Sequence, residues 1–446
     1  MRIAYVAAGA ADMICGSCLH DNALAGALLR GGHDVSLIPT YTPLRTDAPG
    51  VSIDRVFYGA LNVYLQQKVG AFRRTPATID RWLDRPGLIR RAARLGASTD
   101  PRELGDLTWS VLRGEEGYQS KELDRLVAWL RDDLRPEIVH LTNSMFVGFA
   151  RSLKRELEVP VVCSLQGEDL FLDQLREPWK TRSLAVLRER AKDVDAFLAH
   201  SAWYADVMAE RLQVDRGRLH VVPLGINLDG VSAPGEEAPR AAEAPVTLGY
   251  LARICPEKGL HLLVEAFRIL AADPAFAGRL RLRVAGWLGK RDRRYFEALA
   301  SQIEAAGLSG IFEHVGEVDR EGKSRFLRSL DVLSVPTLYK EPKGLFVLEA
   351  LAHGVPVVLP RHGAFPEMLA ATGGGLLVEP GSAEELARSL ARLIDDPGLR
   401  AELGRRGREA VIQCFTDADE AEKVLAVYQQ VLAQRLPAQV PAVLLG

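Results

Sequence analysis

The chain is expected to fold as an α/β protein of two doubly wound domains, each a parallel sheet with helices on both faces. Three observations carry that expectation. Short apolar runs bounded by turn residues alternate with helix-period segments from one end to the other. The alternation stops once, in a stretch with no apolar side chain larger than alanine, and then resumes in the same style. A length of 446 residues, with 48% hydrophobic and 26% charged side chains, leaves room for two or three globular domains.

The elements follow in order. RIAYVAA (2–8) is an apolar run and reads as a buried strand, while the small and apolar residues from Asp21 to Leu29 read as a helix. DVSLIPT (34–40), EIVHLT (137–142), VPVVCSL (159–165), DAFLAHS (195–201) and RLHVVPLG (218–225) are further strands with turn residues around them. Among the helices between them, SKELDRLVAWLRDDL (120–134) sets Leu123, Leu126, Val127, Leu130 and Leu134 on one face. APGEEAPRAAEAP (233–245), with its three prolines and three glutamates, predicts a solvated linker. The strand pattern resumes in VTLGYLA (246–252), RLRVAG (281–286), GIFEHVG (310–316), DVLSVPT (331–337) and GVPVVLP (354–360). The expected domains are therefore 1–230 and 246–415, with the linker at 231–245.

Composition excludes several classes. A formal net charge of −2 argues against general nucleic-acid binding, which needs many cations to displace counterions from phosphates. No apolar run reaches the roughly 18 residues of a membrane span, and MRIAYVAAGAAD puts a strand where a secretory leader needs a charged region and a longer apolar stretch. A cytoplasmic protein is expected. Five cysteines, three of them isolated (Cys163, Cys255 and Cys414), do not make a disulfide framework.

Open parallel sheets bind ligands beyond the carboxyl ends of their strands, so the chemistry is sought in loops. Two such sheets facing each other would form a cleft. In YLARICPEKGLHLLVEAF (250–267), Arg253 and Lys258 precede a helix whose buried stripe is Leu260, Leu263, Val264 and Phe267. Two cations beside a helix N-terminus suit a doubly charged anion such as a diphosphate, because main-chain N–H groups and the helix dipole add to the formal charges. A solvated helix end is the other reading. In KEPKGLFVLEALAHGVPVV (340–358), Glu341 and Glu349 are separated by seven residues. On one continuous helix they would lie about 12 Å apart, too far to flank a single bond. Pro342 and Gly344 suit a loop before the helix, so Glu341 should precede it and Glu349 lie within it, reaching different parts of one elongated ligand. Gly344, Leu345 and Phe346 would then offer main-chain N–H groups to a phosphate.

Five signatures in order now resemble family 4 of the retaining glycosyltransferases over almost the full chain: ARICPEKG (252–259), EPKGLFVLEALAHGVPVV (341–358), HGAFPEML (362–369), GGGLLVEPGSAEELA (373–387) and FTDADEAEKVLAVY (415–428). The resemblance implies the two-domain GT-B fold, with a last helix (416–436) crossing back onto the first domain. It implies a nucleotide-diphosphate sugar donor, with Arg253 and Lys258 on the diphosphate, Glu341 on the donor sugar and Glu349 on the ribose. It also implies retained anomeric configuration, no cofactor and no obligatory metal, and an acceptor that is a sugar or lipid-linked molecule held by the first domain. Glucan synthesis from ADP- or UDP-glucose, a nucleotide-sugar epimerase and a non-catalytic nucleotide-sugar-binding protein are the competing readings.

The resemblance also reads the stretch CGSCLH (15–20). The family usually has two glycines after the first strand and a histidine four residues beyond the second. Gly16 and His20 keep that spacing, and Cys15 replaces the first glycine. Gly16 would let the main chain approach the donor diphosphate and the acceptor. A helix N-terminus favours a reactive thiol, but a zinc site would need a ligand beyond Cys15, Cys18 and His20. Two departures stand out: Gln166 occupies a position where the family often has histidine, and Lys343 one where phenylalanine is common. Asp169 and His140 are further candidates on the acceptor side, although His140 suits a buried structural role equally. Residues 68–94 hold eight Lys or Arg against two Asp, interleaved with apolar side chains. They read either as a surface for anionic lipid headgroups at the inner face of a membrane or as solvated helices. The double substitution Cys15→Ser with Cys18→Ser should leave most of the activity; its loss together with bound zinc, measured by elemental analysis, would establish a metal role for the thiols.

Overall fold

The computed structural model describes residues 1–9, 16–44, 46, 49–53, 55–75, 101–231 and 244–435. The chain divides into two compact units, Met1–Pro223 with Asp417–Gly446, and Leu224–Thr416.

In the first unit, β1 (Arg2–Ala7), β2 (Asp34–Pro39), β3 (Ile138–Leu141), β4 (Val161–Ser164), β5 (Ala196–Ala199) and β6 (Leu219–Val221) form one sheet in the order β2-β1-β3-β4-β5-β6. All its pairings are parallel. Every residue of β3, β4 and β5 is buried, which is why they read as continuous apolar runs rather than alternating ones. One face packs against Leu123, Leu126, Phe146, Phe149 and their neighbours. The other is covered by the first helix (Gly16–Arg30) and the last (Asp417–Ala433), through Leu24, Leu28, Val424, Val427 and Tyr428.

The second unit repeats the design. Its strands β7 (Val246–Leu251), β8 (Leu280–Ala285), β9 (Phe312–Gly316), β10 (Val332–Ser334), β11 (Val357–Pro360) and β12 (Gly375–Val378) lie in the order β12-β11-β10-β7-β8-β9, again all parallel. The edge strand β12 was not among the expected strands. It starts at a glycine and only Val378 is fully buried, so it lacks the continuous apolar run of the inner strands.

The division between units also falls earlier than the expected residue 230. Leu224 and Ile226 are buried in the second core, and the Ile226 N–H donates to Phe415 O at 2.9 Å. The turn after β6 therefore already belongs to the second unit. Of the expected linker, 232–243 lie outside the described residues.

Strand order reverses between β1 and β3 in the first sheet and between β7 and β10 in the second. Loops leaving the carboxyl ends of such a strand pair diverge and leave a crevice, where ligands of this architecture sit. Arg253 and Lys258 leave β7, and Glu341 leaves β10. The two loops are stitched together, since the Leu338 N–H donates to Glu257 O at 2.9 Å. Gly259 makes that approach possible: its φ is +74°, and a Cβ there would lie 1.8 Å from Pro336 O. Gly259→Ala should therefore cost ~2 kcal/mol or more and lower the melting temperature of the second unit, read by calorimetry.

Candidate active site

The second unit assembles four side chains from the two loops at its switch point. Lys258 ends a short helical turn, Pro256–Lys258, and its Nζ donates to Glu341 Oε2 at 2.6 Å. The Tyr339 hydroxyl donates to the same oxygen, also at 2.6 Å. The ammonium further sits 5.1 Å from the Tyr339 ring centroid and 5.7 Å from that of Phe346. The pair is nearly removed from water, with side-chain exposures of 12% and 7%. Burial alone would raise the Glu341 pKa, but Lys258 and the Tyr339 hydroxyl outweigh it and hold the carboxyl at about 2. Burial and the Glu341 charge push the Tyr339 phenol well up, so it remains a donor. Arg253 is exposed beside this pair, and among the described residues its guanidinium has no carboxylate partner. A fixed carboxylate, a held ammonium and an available guanidinium therefore share one crevice.

Glu341 precedes the helix Leu345–Ala352 and Glu349 lies within it, as expected. The Glu341 main chain is anchored by the Ala364 N–H, which donates to Glu341 O at 2.8 Å and gives the HGAFPEML signature a structural role. Gly344, at φ +73°, turns the chain into the helix, so Leu345 and Phe346 contribute first-turn N–H groups. Glu349 is served by a different cation, Lys323, whose Nζ donates to its Oε1. The two glutamates thus face separate neighbourhoods, each with its own lysine. Tyr339 and Lys323 were missed in the sequence. Tyr339 stands two residues before Glu341 and was within reach of inspection, whereas nothing in spacing links Lys323 to Glu349.

In the first unit Gly16 begins the first helix, and a Cβ there would meet nothing within 4 Å. Packing does not demand glycine at this place. Cys15 lies outside the described residues, and Cys18 is buried.

His20 and His140 are both buried within the first unit. His20 is buried, with Nε2 2.6 Å from Glu420 Oε1 on the last helix and Nδ1 3.6 Å from Asp21 Oδ1. His140 is fully buried and stacked on Tyr5, with Nδ1 2.5 Å from the Tyr428 hydroxyl and Nε2 2.7 Å from Ser164 Oγ. Both rings meet the last helix, which supplies Glu420 to His20 and Tyr428 to His140, so His140 has the buried structural setting that its sequence position equally suited.

Gln166, by contrast, sits beyond the carboxyl end of β4. Its Nε2 donates to Asp21 Oδ1 at 2.7 Å and Thr142 O at 2.9 Å. Asp21 also accepts from the Tyr5 and Thr142 hydroxyls and lies 3.6 Å from the His20 ring, so one buried carboxylate organises this end of the sheet. Asp169 accepts from the Tyr204 hydroxyl at 2.7 Å, and burial raises its pKa. Its neighbour Glu168, which the sequence did not single out, accepts main-chain N–H groups of Ser144 and Gln166 and ties the loops after β3 and β4 together.

His20, His200 and Glu420 place ligand atoms within 4.8 Å of one another. The 2.6 Å contact between His20 and Glu420 is that of a shared proton, since two ligands on one tetrahedral zinc stand roughly 3.3 Å apart. Of the basic stretch 68–94, only 68–75 are described. There the Arg73 guanidinium lies 3.6 Å from the Tyr118 ring centroid and donates through Nε to Gln66 O, so it packs on the protein. Among the described residues no helix is long and apolar enough to cross a membrane.

The two histidines give the first unit a pH profile. Burial would push the His20 imidazolium down, but Glu420, with Asp21, holds its pKa at about 9, above the ordinary 6.5. That contribution to stability is complete below pH 6.5 and is lost as pH rises through 9. Burial holds His140 down at about 3, so its contribution is complete above pH 6.5 and is lost as pH falls toward 3. Urea denaturation should therefore show stability falling between pH 6.5 and 9, and Glu420→Gln should flatten that limb while sparing the acid one. Equal alkaline limbs in the parent and the variant would contradict a charged His20.

Residues 106–229 match the family model for Glycosyltransferase Family 4, and residues 236–410 that for Glycosyl transferases group 1. The chain is 31% identical over 241 residues to D-inositol 3-phosphate glycosyltransferase of Kribbella flavida, covering 53% of this chain and 56% of that protein. To the protein of the same name from Geodermatophilus obscurus it is 30% identical over 353 residues, covering 75% and 72%. The chain thus spans little more than half the length of the first relative. In fold it is similar to sucrose-phosphate synthase of Thermosynechococcus elongatus, with a TM-score of 0.68, 20% identity, and coverage of 97% of this chain and 99% of the other. It is also similar to Anabaena HepE in complex with UDP-glucose, with a TM-score of 0.64, 15% identity, and coverage of 96% and 99%. Two Rossmann-like units in this strand order, joined to these matches, make the chain a member of glycosyltransferase family 4 with the GT-B fold.

Proposed function

We propose that this glycosyltransferase moves a sugar from a nucleotide-diphosphate donor to an acceptor hydroxyl, with retention of anomeric configuration. The observation that carries the reading is the crevice in the second unit, where the buried Lys258–Glu341 pair stands beside the exposed Arg253. That arrangement suits a sugar diphosphate, which presents hydroxyls at one end and two negative charges at the other. Support also comes from a protein of similar fold, Anabaena HepE, whose structure is a complex with UDP-glucose.

In this reading the bond from the anomeric carbon to the diphosphate breaks as the bond to the acceptor oxygen forms on the same face. The acceptor proton passes to the departing diphosphate oxygen. Negative charge develops on that leaving group, and Arg253, Lys258 and the first-turn N–H groups of Leu345 and Phe346 stabilise it. Glu341, ionised at any working pH, accepts hydrogen bonds from donor-sugar hydroxyls, and Glu349 takes the ribose. The protein cations do the charge work that other transferases give to a metal, so chelation with EDTA should leave turnover unchanged. Gln166 and Asp169 belong to the acceptor side, and the acceptor is a sugar or lipid-linked hydroxyl.

Release of nucleoside diphosphate that depends on an acceptor tests this reading, with UDP-glucose, ADP-glucose and GDP-mannose as donors and inositol phosphate and glucosyl acceptors. Glu341→Gln and Lys258→Ala should each lower turnover by about 100-fold or more. Each leaves a buried partner unmatched, so a lower melting temperature is also expected, and turnover is measured well below it. Binding of a donor without any turnover would make the chain a nucleotide-sugar-binding protein instead, and near-normal turnover in either variant would remove the assignment of the site.

A further inference from the structure

We infer that Tyr339 is a positioning residue for Glu341, one that decides how the protein tells a sugar-bearing nucleotide from a bare nucleoside diphosphate. The inference rests on the reading of Glu341 as the donor-sugar residue. Its own evidence is the way the two carboxylate oxygens are divided.

Glu341 Oε2 receives both strong donors, the Lys258 ammonium and the Tyr339 hydroxyl, each at 2.6 Å. The other oxygen, Oε1, has among the described residues only a distant donor, the Lys343 N–H at 3.5 Å. A carboxylate offers about four lone-pair positions, and loading two of them onto one oxygen fixes the rotation of the whole group. With Lys258 alone, either oxygen could meet the ammonium, and the carboxylate would turn about its last bond. The phenol removes that freedom, because a rigid ring carries its donor to one point.

The ring is itself held. It is half-buried, its main-chain oxygen accepts from the Thr337 hydroxyl at 3.1 Å, and the preceding Leu338 is bonded across to Glu257 O at 2.9 Å. The same ring forms one wall around the Lys258 ammonium, with Phe346 as the other. Tyr339 thus fixes the carboxylate and helps fix the ammonium that pairs with it. Oε1 then faces the ligand as a stationary acceptor, and a donor-sugar hydroxyl gains from it what a bare diphosphate cannot.

Tyr339→Phe removes only the hydroxyl and keeps the wall of the cation site. Binding of UDP and UDP-glucose, or of the corresponding pair for whichever panel donor the parent binds, is measured by calorimetry for the parent, Tyr339→Phe, Glu341→Gln and the double variant. The expected result is about a tenfold loss of affinity for the nucleotide sugar in Tyr339→Phe, with affinity for the free diphosphate within twofold of the parent. In the Glu341→Gln background the second substitution should add nothing, because the hydroxyl acts through that carboxylate. An unchanged melting temperature for Tyr339→Phe separates positioning from folding.

Equal affinity of parent and Tyr339→Phe for the nucleotide sugar overturns the inference. So does an equal loss for sugar and diphosphate ligands, which would mark a general structural role. If instead Glu341→Gln retains parental sugar affinity, or the parent binds no nucleotide sugar in the panel, it is the reading of Glu341 that falls.

Discussion

The ion pair between Lys258 and Glu341 is the contact around which the second unit arranges its site. Two loops leave adjacent parallel strands where the strand order reverses, and sheet geometry alone would let them diverge. The pair closes that divergence with charges almost stripped of water. Such a pair contributes little net stability, because desolvating two ions offsets much of their attraction. Its worth is geometric: it holds a cation from one loop and an anion from the other at a fixed separation. The aromatic walls of Tyr339 and Phe346 lower the cost of burying the ammonium, and the Ala364 N–H fixes the main chain behind the carboxylate.

The first unit solves a different problem with the same kind of contact. Its last helix returns from the far end of the chain to cover one face of the sheet, and apolar packing by Val424, Val427 and Tyr428 gives it area without direction. Direction comes from polar contacts that only one seating satisfies: Arg30 with Asp417, His20 with Glu420, and His140 with Tyr428. A charged His20 and a neutral His140, a short distance apart in one core, reflect their partners. One faces two carboxylates, and the other faces hydroxyls and a tyrosine ring. Through Asp21 the first helix also reaches Thr142 and Gln166, so the loops beyond β3 and β4 rest on the same helix that seats the C-terminal one.

Much of this was legible in the sequence, for reasons that differ by element. Fully buried strands such as β3, β4 and β5 announce themselves as short apolar runs, because both of their faces are covered. The edge strand β12 does not, since it starts at a glycine and three of its four residues are only partly buried. The placement of Glu341 before a helix and Glu349 within it could be read from Pro342 and Gly344. The partners of His20 and His140 could not be read from sequence, since they are 400 and 288 residues away.

The sequence by itself determined the two parallel sheets, the interruption between them and the residue types at the loop ends, because strand burial, turn chemistry and helix starts are local properties. Only the tertiary structure decided which charges meet. Lys258 finds Glu341 across 83 residues, and Lys323 finds Glu349 across 26. Each pairing depends on the order in which parallel strands lie side by side and on how closely the loops or helices that follow them approach. Neither quantity is written in the spacing of residues along the chain, since both arise from packing helices over a completed sheet.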